Sequence, residues 1–190
     1  MAQPERIKVV CLGDSITWGF PYGPEYSWVT MLNEAMDMEA EFINEGINGN
    51  TTDNMLRRFY RSVIKHEPTH LVILGGANDV LWQESIDRIV HNLQTIAEKA
   101  REAGIKVIMA TPTGIDHREV ERRLDRIRAW IKSYARQNDL PVIDFAAAYF
   151  DAEGKIRSEL LLPDGAHPNK NGYRAMFEEI DKNIFRDRGA

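Results

Sequence analysis

The stretch Ile7-Lys8-Val9-Val10-Cys11-Leu12-Gly13-Asp14-Ser15-Ile16-Thr17 joins a short apolar run to a small polar motif. The apolar run has the length and composition of a buried strand. The motif that follows it would then lie at the carboxyl edge of a sheet, where open α/β folds bind their ligands. The stretch therefore predicts the first strand of the fold and, in Ser15, a candidate nucleophile.

Similar apolar runs alternate with amphipathic segments along the rest of the chain. The predicted strands are Ile7–Leu12, Glu41–Asn44, Leu71–Leu74, Lys106–Ala110 and Pro141–Ile143. The predicted helices are Ser27–Met38, Asp53–His66, Glu84–Glu102, Arg118–Gln137 and Asn171–Phe185. This alternation requires crossover connections and a parallel sheet covered on both faces. It predicts a doubly wound, three-layer α/β/α sandwich with a five-stranded parallel sheet, formed by residues 1–190 as a single domain.

Bulk composition excludes several classes of protein. The chain is 43% hydrophobic and 28% charged, which argues against a disordered or fibrous protein. A net charge of −5 argues against a nucleic-acid partner. No signal peptide is visible at the N-terminus, and no apolar run approaches the roughly 18 residues of a membrane span. A cytoplasmic location without a membrane span is therefore expected, and the single Cys11 predicts a buried side chain without a disulfide.

Three further polar motifs accompany the one that contains Ser15. Gly46 lies in Asn44–Asn50, and Asn78 lies in Gly76-Ala77-Asn78-Asp79; both motifs directly follow predicted strands. Asp164-Gly165-Ala166-His167 lies in a turn-rich segment near the C-terminus. A serine hydroxyl is a weak nucleophile that needs a neighbouring base, and imidazole titrates near pH 6.5. His167 is the predicted base, with Asp164 accepting a hydrogen bond from its other ring nitrogen.

These four motifs, in this order, resemble the SGNH (GDSL-type) esterase/acylhydrolase family from Gly13 to His167. The resemblance implies a flavodoxin-like strand order 2-1-3-4-5 and a serine hydrolase with an acyl-serine intermediate and no cofactor. It also implies an oxyanion hole formed by the backbone N–H groups of Ser15 and Gly46 and by the side-chain amide of Asn78. No metal is expected, because the five histidines show no ligand spacing.

Each motif also has a purely structural interpretation. A lone Asp-x-x-His is typical of a solvated loop, and Gly46 alone is typical of a turn. Asn78 and Asp79 could form a helix cap or an Asx-turn, and Asp14 is interpreted as a residue that braces its loop. The arginines of Arg118–Gln137 alternate with acids, which is typical of a solvated helix face.

The substrate is predicted less directly. Trp18, Phe20, Tyr22 and Trp82 follow the candidate catalytic motifs. They would either wall an acyl or aryl pocket or anchor loops on the sheet. No long lid is visible, which favours small-molecule esters with short- to medium-chain acyl groups over long-chain lipids.

Two alternatives stay open at this point. The same residues would serve a carbohydrate O-deacetylase or an acyltransferase. A non-catalytic, flavodoxin-like module would instead use Gly13–Thr17 to bind a phosphorylated ligand, which would leave Asp164 and His167 without a role.

Overall fold

The computed structural model describes residues 6–186. Five strands form one sheet in which every neighbouring pair is parallel. They are β1 (Ile7–Gly13), β2 (Ala40–Gly46), β3 (His70–Leu74), β4 (Lys106–Ala110) and β5 (Val142–Ile143). Their order in the sheet is β2-β1-β3-β4-β5, so the predicted topology is confirmed. The order changes direction at β1 and β3, where ligands bind in sheets of this kind.

Within residues 6–186, eight α-helices connect and cover the strands. They are α1 (Ser15–Trp18), α2 (Trp28–Ala35), α3 (Thr52–Arg57), α4 (Phe59–Ser62), α5 (Ala77–Leu81), α6 (Ile86–Glu102), α7 (Arg118–Gln137) and α8 (Lys170–Glu178). Short 3-10 helices lie at Pro24–Tyr26, Ile64–His66, Phe145–Tyr149, Ser158–Leu160 and Lys182–Phe185.

A separate hydrophobic core lies on each face of the sheet, because alternate residues of a strand point to opposite faces. Val9 and Cys11 of β1 belong to the core that α2 and α8 cover. Val10 and Leu12 belong to the core that α6 and α7 cover. All four side chains are fully buried, which explains why β1 is a continuous apolar run rather than an alternating one.

Several predicted helices differ from the observed ones. The segment predicted as one helix over Asp53–His66 is divided into α3, α4 and a 3-10 turn. The division falls at Arg58, whose side chain is buried and bonds to the ends of two strands. The last predicted helix ends at Glu178, and Asp181 caps a separate 3-10 turn by accepting from the Asn183 N–H. Tertiary contacts therefore override the helical periodicity at both places.

Candidate active site

A tight turn between β1 and α1 presents Ser15 at the carboxyl edge of the sheet. The Asp14 carboxylate caps α1 by accepting a hydrogen bond from the Ile16 N–H at 2.9 Å. Gly13 has to lack a side chain, because a Cβ there would lie 2.0 Å from Thr17 Oγ1. The glycine, the acid and the threonine of the motif thus form the turn, and Ser15 is the first residue of the helix.

The structure brings together Ser15, His167 and Asp164. Ser15 Oγ lies 3.1 Å from His167 Nε2, although the two residues are 152 positions apart. His167 Nδ1 lies 2.6 Å from Asp164 Oδ2. The other carboxylate oxygen, Oδ1, accepts from the backbone N–H groups of Ala166 and His167 at 2.9 and 3.0 Å. Asp164 is therefore held in place by its own loop while it contacts the imidazole.

The surroundings of Asp164 stabilise the ionised form of its carboxyl group. Partial burial raises the pKa of its carboxyl, but the two backbone N–H groups and the His167 ring outweigh that effect and lower the pKa below its usual value. An ionised Asp164 can only accept, so His167 Nδ1 carries the proton. In the neutral form of the ring, Nε2 can accept from the Ser15 hydroxyl.

A second carboxylate, Asp14, lies near the same imidazole. Its pKa is raised to about 6 by burial, which the Ile16 N–H and the charge of His167 offset in part. Its bond to Ile16 matches the bracing role expected from the sequence.

The three expected oxyanion donors differ in their surroundings. The Ser15 N–H is at the first position of α1 and has no acceptor within residues 6–186. Asn78 Nδ2 donates to the Asn50 carbonyl at 2.9 Å, which uses only one of its two hydrogens. The Gly46 N–H donates to Asn44 Oδ1 at 2.9 Å. The expected donor at Gly46 is therefore already engaged in this structure.

Gly46 instead has a packing role that the sequence did not reveal. A Cβ there would lie 2.2 Å from the Trp18 backbone nitrogen, so α1 rests directly on Gly46. The Gly49 N–H, at a residue with a φ of +77°, has no acceptor in the described part of the chain. Asn50 N–H donates to the Ile47 carbonyl at 3.1 Å, which closes a turn around Gly49. The Asn48-Gly49 dipeptide was the available signal for that turn.

Asp79 holds the start of α3 in place through hydrogen bonds. Its carboxylate accepts from the Thr52 N–H at 3.0 Å and from the Thr52 hydroxyl at 2.5 Å. Asn92 Nδ2 donates to the same hydroxyl at 3.1 Å. Burial raises the pKa of Asp79, and the bonds from Thr52 oppose that effect. Asp79 thereby ties the start of α3 to α5, the helix that carries Asn78.

The four aromatic candidates occupy four different environments. The Phe20 ring lies 4.6 Å from the His167 ring, centroid to centroid. Tyr22 packs against Tyr26 and under the Lys170 ammonium group of α8. Trp18 is half-buried, whereas Trp82 is 77% exposed just after α5. Phe20 therefore contacts the candidate base, and Trp82 is the one of the four that is open to solvent.

Two buried arginines were not recognised from the sequence. Arg128 of α7 is 4% exposed and donates to the Pro112 and Thr113 carbonyls after β4, so the expectation of a solvated face is wrong there. It also pairs with Glu121. Arg58 is 7% exposed and contacts the ends of β1 and β2. Each of the two follows another arginine in the sequence. The sequence alone therefore gives no sign that its side chain is buried.

Neither a metal cluster nor a membrane-spanning helix occurs in the described structure. Residues 6–186 contain no group of three or more His, Cys, Asp or Glu side chains that could hold an ion. Over the same residues, no helix combines the length and the apolar composition needed to cross a bilayer.

Comparisons with known proteins find relatives that match most of this chain. The "Uncharacterized lipoprotein YqeF" of Bacillus subtilis is 28% identical, over 90% of this chain and 87% of its own. "Thioesterase 1/protease 1/lysophospholipase L1" of Escherichia coli is 23% identical, over 93% and 82%. An "Acetylxylan esterase" of Geobacillus stearothermophilus is 24% identical, over 95% and 97%.

The fold recurs among solved structures. A "putative lipolytic protein of G-D-S-L family" from Desulfitobacterium hafniense superimposes with a TM-score of 0.84 and 29% identity, covering 92% of this chain and 97% of the other. The model of the GDSL-like lipase/acylhydrolase family matches residues 11–175, a span that includes Ser15, Asn78, Asp164 and His167. The chain is therefore an ester hydrolase that belongs to the GDSL-like lipase/acylhydrolase family.

Proposed function

We propose that this protein is a serine esterase that cleaves carboxylic esters with short- to medium-chain acyl groups through an acyl-Ser15 intermediate. The observation that supports it best is the continuous path from Ser15 Oγ to His167 Nε2 and from His167 Nδ1 to Asp164, at 3.1 and 2.6 Å. A hydroxyl, a base and an orienting acid in this arrangement are what acyl transfer to serine requires.

The first half-reaction forms the acyl-enzyme. Ser15 Oγ attacks the ester carbonyl while His167 Nε2 accepts the hydroxyl proton, and the Asp164 charge stabilises the imidazolium. The tetrahedral intermediate collapses as the ester C–O bond breaks, and His167 gives the proton to the leaving alcohol. In the second half-reaction, His167 takes a proton from water, which attacks the acyl-Ser15 carbonyl. The proton then returns to Ser15 Oγ as the acid is released.

The negative oxygen of each tetrahedral intermediate needs preorganised donors. The Ser15 N–H and the second Asn78 amide hydrogen fit this role, since neither has another acceptor within the described chain. For the remaining backbone donor we propose Gly49 in place of Gly46. The Gly46 N–H is bonded to Asn44, whereas Gly49 is exposed and lies next to the Asn50 carbonyl that binds Asn78.

Hydrolysis of p-nitrophenyl acetate, butyrate, octanoate and palmitate by the wild type and by Ser15→Ala tests this function. We expect Ser15-dependent turnover that is highest on acetate or butyrate and lowest on palmitate. Turnover by Ser15→Ala at the wild-type rate would refute the serine mechanism. Highest turnover on palmitate would refute the proposed chain length.

A carbohydrate O-deacetylase is the second candidate, and exposed Trp82 favours it. An indole that is 77% exposed, four residues after Asn78, offers a flat apolar face to a sugar ring. The acetylxylan esterase relative adds to this possibility. We expect Trp82→Ala to raise KM on acetylated xylobiose several-fold while KM on p-nitrophenyl acetate is unchanged. Equal effects on both substrates would count against a sugar-binding role, and ester products formed from added alcohols would indicate acyl transfer instead.

A further inference from the structure

Arg58 lies where α3 passes into α4, with its guanidinium at the carboxyl ends of β1 and β2. Nη2 donates to the Gly13 carbonyl at 2.9 Å and to the Glu45 carbonyl at 2.8 Å. Nε donates to Asn50 Oδ1 at 2.8 Å. Nη1 pairs with Glu45 Oε2 at 3.3 Å. One buried side chain therefore joins two strand ends and the loop that follows β2.

The acceptors of Arg58 lie next to the proposed oxyanion donors. The Gly13 carbonyl is two residues before the Ser15 N–H, on the same turn. Asn50 directly follows Gly49, and its carbonyl accepts the hydrogen bond that orients Asn78. Fixing Gly13 and Asn50 relative to each other thus fixes the two sides between which an oxyanion would sit.

Stability alone is a weak reason for this arrangement. Removing a guanidinium from water costs free energy that an ion pair often fails to recover, and Glu45 already has a second partner in His66 at 2.7 Å. What a guanidinium supplies better than an apolar side chain is direction, because its donors are held in one rigid plane. Three of its four bonds here go to neutral oxygens of the chain rather than to a charge.

We infer that Arg58 is a positioning residue for the oxyanion hole, holding the Ser15 turn and the Gly49–Asn50 loop at the separation that acyl transfer requires. This inference rests on the proposed function. Arg58 acts through Gly13 and Asn50 and does not contact the substrate itself. Its loss should therefore weaken binding of the transition state much more than binding of the ground-state ester.

The test compares Arg58→Met and Arg58→Lys with Arg57→Met. Arg57 is the adjacent arginine, is 76% exposed and, among the described residues, forms an ion pair only with Asp53, so it controls for the loss of a positive charge. We expect Arg58→Met to lower kcat about 10- to 100-fold, since small misplacements of catalytic groups have effects of this size. KM should change less than about threefold, and Arg57→Met should behave as the wild type. Arg58→Lys, which keeps the charge but not the planar fork, should lose about tenfold.

The affinity for butylboronic acid is a second measurement. It would not change if Arg58 served only the stability of the fold. Butylboronic acid forms a tetrahedral adduct with a serine hydroxyl, so its affinity reports on the oxyanion hole. Because Arg58→Met also removes buried hydrogen bonds that support the fold, Asn50→Ala serves as a second variant. It removes only the bond from Nε and leaves the Asn50 carbonyl available to Asn78. We expect Asn50→Ala to lower kcat and boronate affinity in parallel by about tenfold, with thermal stability close to that of the wild type.

The outcomes separate this inference from the proposed function. If Ser15→Ala is inactive while Asn50→Ala and Arg58→Lys keep wild-type kcat and boronate affinity, the inference is overturned and the esterase mechanism stands. A loss in Arg58→Met that disappears when turnover is expressed per folded molecule also overturns it. If Ser15→Ala keeps wild-type turnover, the proposed function fails, and the inference fails with it.

Discussion

Gly46 is the last residue of β2 and Gly49 lies in the loop that follows, yet the two positions differ in the space they leave for a side chain. A Cβ at Gly46 would lie 2.2 Å from the Trp18 backbone nitrogen, whereas a Cβ at Gly49 would have no neighbour within 4 Å. We expect Gly46→Ala to lower the free energy of unfolding by about 3 kcal/mol, because backbone atoms of α1 would have to move. Gly49→Ala should cost only about 1 kcal/mol, through its positive φ.

Urea unfolding of the two alanine variants measures this difference, and Gly104→Ala controls for positive φ alone. Gly104 has a φ of +76°, open space around its Cβ position, and no place in the site. Gly49→Ala should additionally lower kcat, which Gly104→Ala should not. Equal stability losses at Gly46 and Gly49 would contradict the packing role of Gly46.

Asp14 makes stability depend on pH in a direction that its environment fixes. Its pKa is raised from 3.8 to about 6, so the folded protein holds this proton more tightly than the unfolded chain does. Stability is therefore greatest below pH 3.8 with respect to this group and is lost as pH rises to about 6. A shift of this size corresponds to about 3 kcal/mol, as an order of magnitude.

Asp14→Asn isolates this effect, because an asparagine oxygen can still accept from the Ile16 N–H. We expect the variant to be more stable than the wild type at pH 8 and nearly equal to it at pH 4. Thermal unfolding at the two pH values checks this, with Asp125→Asn at an exposed position of α7 as the control. A stability gain of the same size at both pH values would exclude titration of Asp14 as the cause.

At the scale of elements, the segment Gly19–Tyr26 links α1, which carries the candidate nucleophile Ser15, to α8. Phe20 packs on His167, and the Tyr173 hydroxyl donates to the Phe20 carbonyl at 2.7 Å. Lys170 Nζ lies 4.1 Å from the centroid of the Tyr26 ring. Ring contacts and one hydrogen bond thus join this segment to His167 and to α8.

Phe20→Leu tests whether this ring positions the base or walls the substrate pocket. If it positions His167, kcat should fall about tenfold with similar KM for every acyl chain, because a mobile imidazole is aligned with Ser15 less often. Tyr26→Leu is the matched control on the same segment and should keep kcat. A change confined to KM and to chain-length preference would assign Phe20 to the pocket instead.

At the scale of the whole molecule, Cys11 reports on the integrity of the sheet. It lies on β1 between β2 and β3, is fully buried, and burial raises the pKa of its thiol far above the usual range. We expect no reaction with a thiol reagent such as Ellman's reagent under native conditions and one equivalent in urea. The labelling rate should follow global unfolding, because β1 is shielded from both sides. Rapid labelling in native buffer would contradict a central β1.

Sequence patterns by themselves predicted the layered architecture of this protein and the residues of its candidate site. Continuous apolar runs marked strands buried on both faces, and three-to-four-residue spacing marked α6 and α7. Ser15, Asn78, Asp164 and His167 were recognisable because each belongs to a short motif whose residue types suit one reaction. These features are local, so a single chain segment suffices to show them.

Only the tertiary structure decided which partners the hydrogen-bond donors and side chains of the loops at the sheet edge contact. Gly46 is a packing residue because α1, from another part of the chain, rests on it. Phe20 contacts His167, and Arg58 ends α3 and turns inward, because the folded chain brings distant groups beside them. Loops have no periodicity, and their amides bond to whichever acceptor folding places nearby, so the partner of each donor is a property of the assembled molecule.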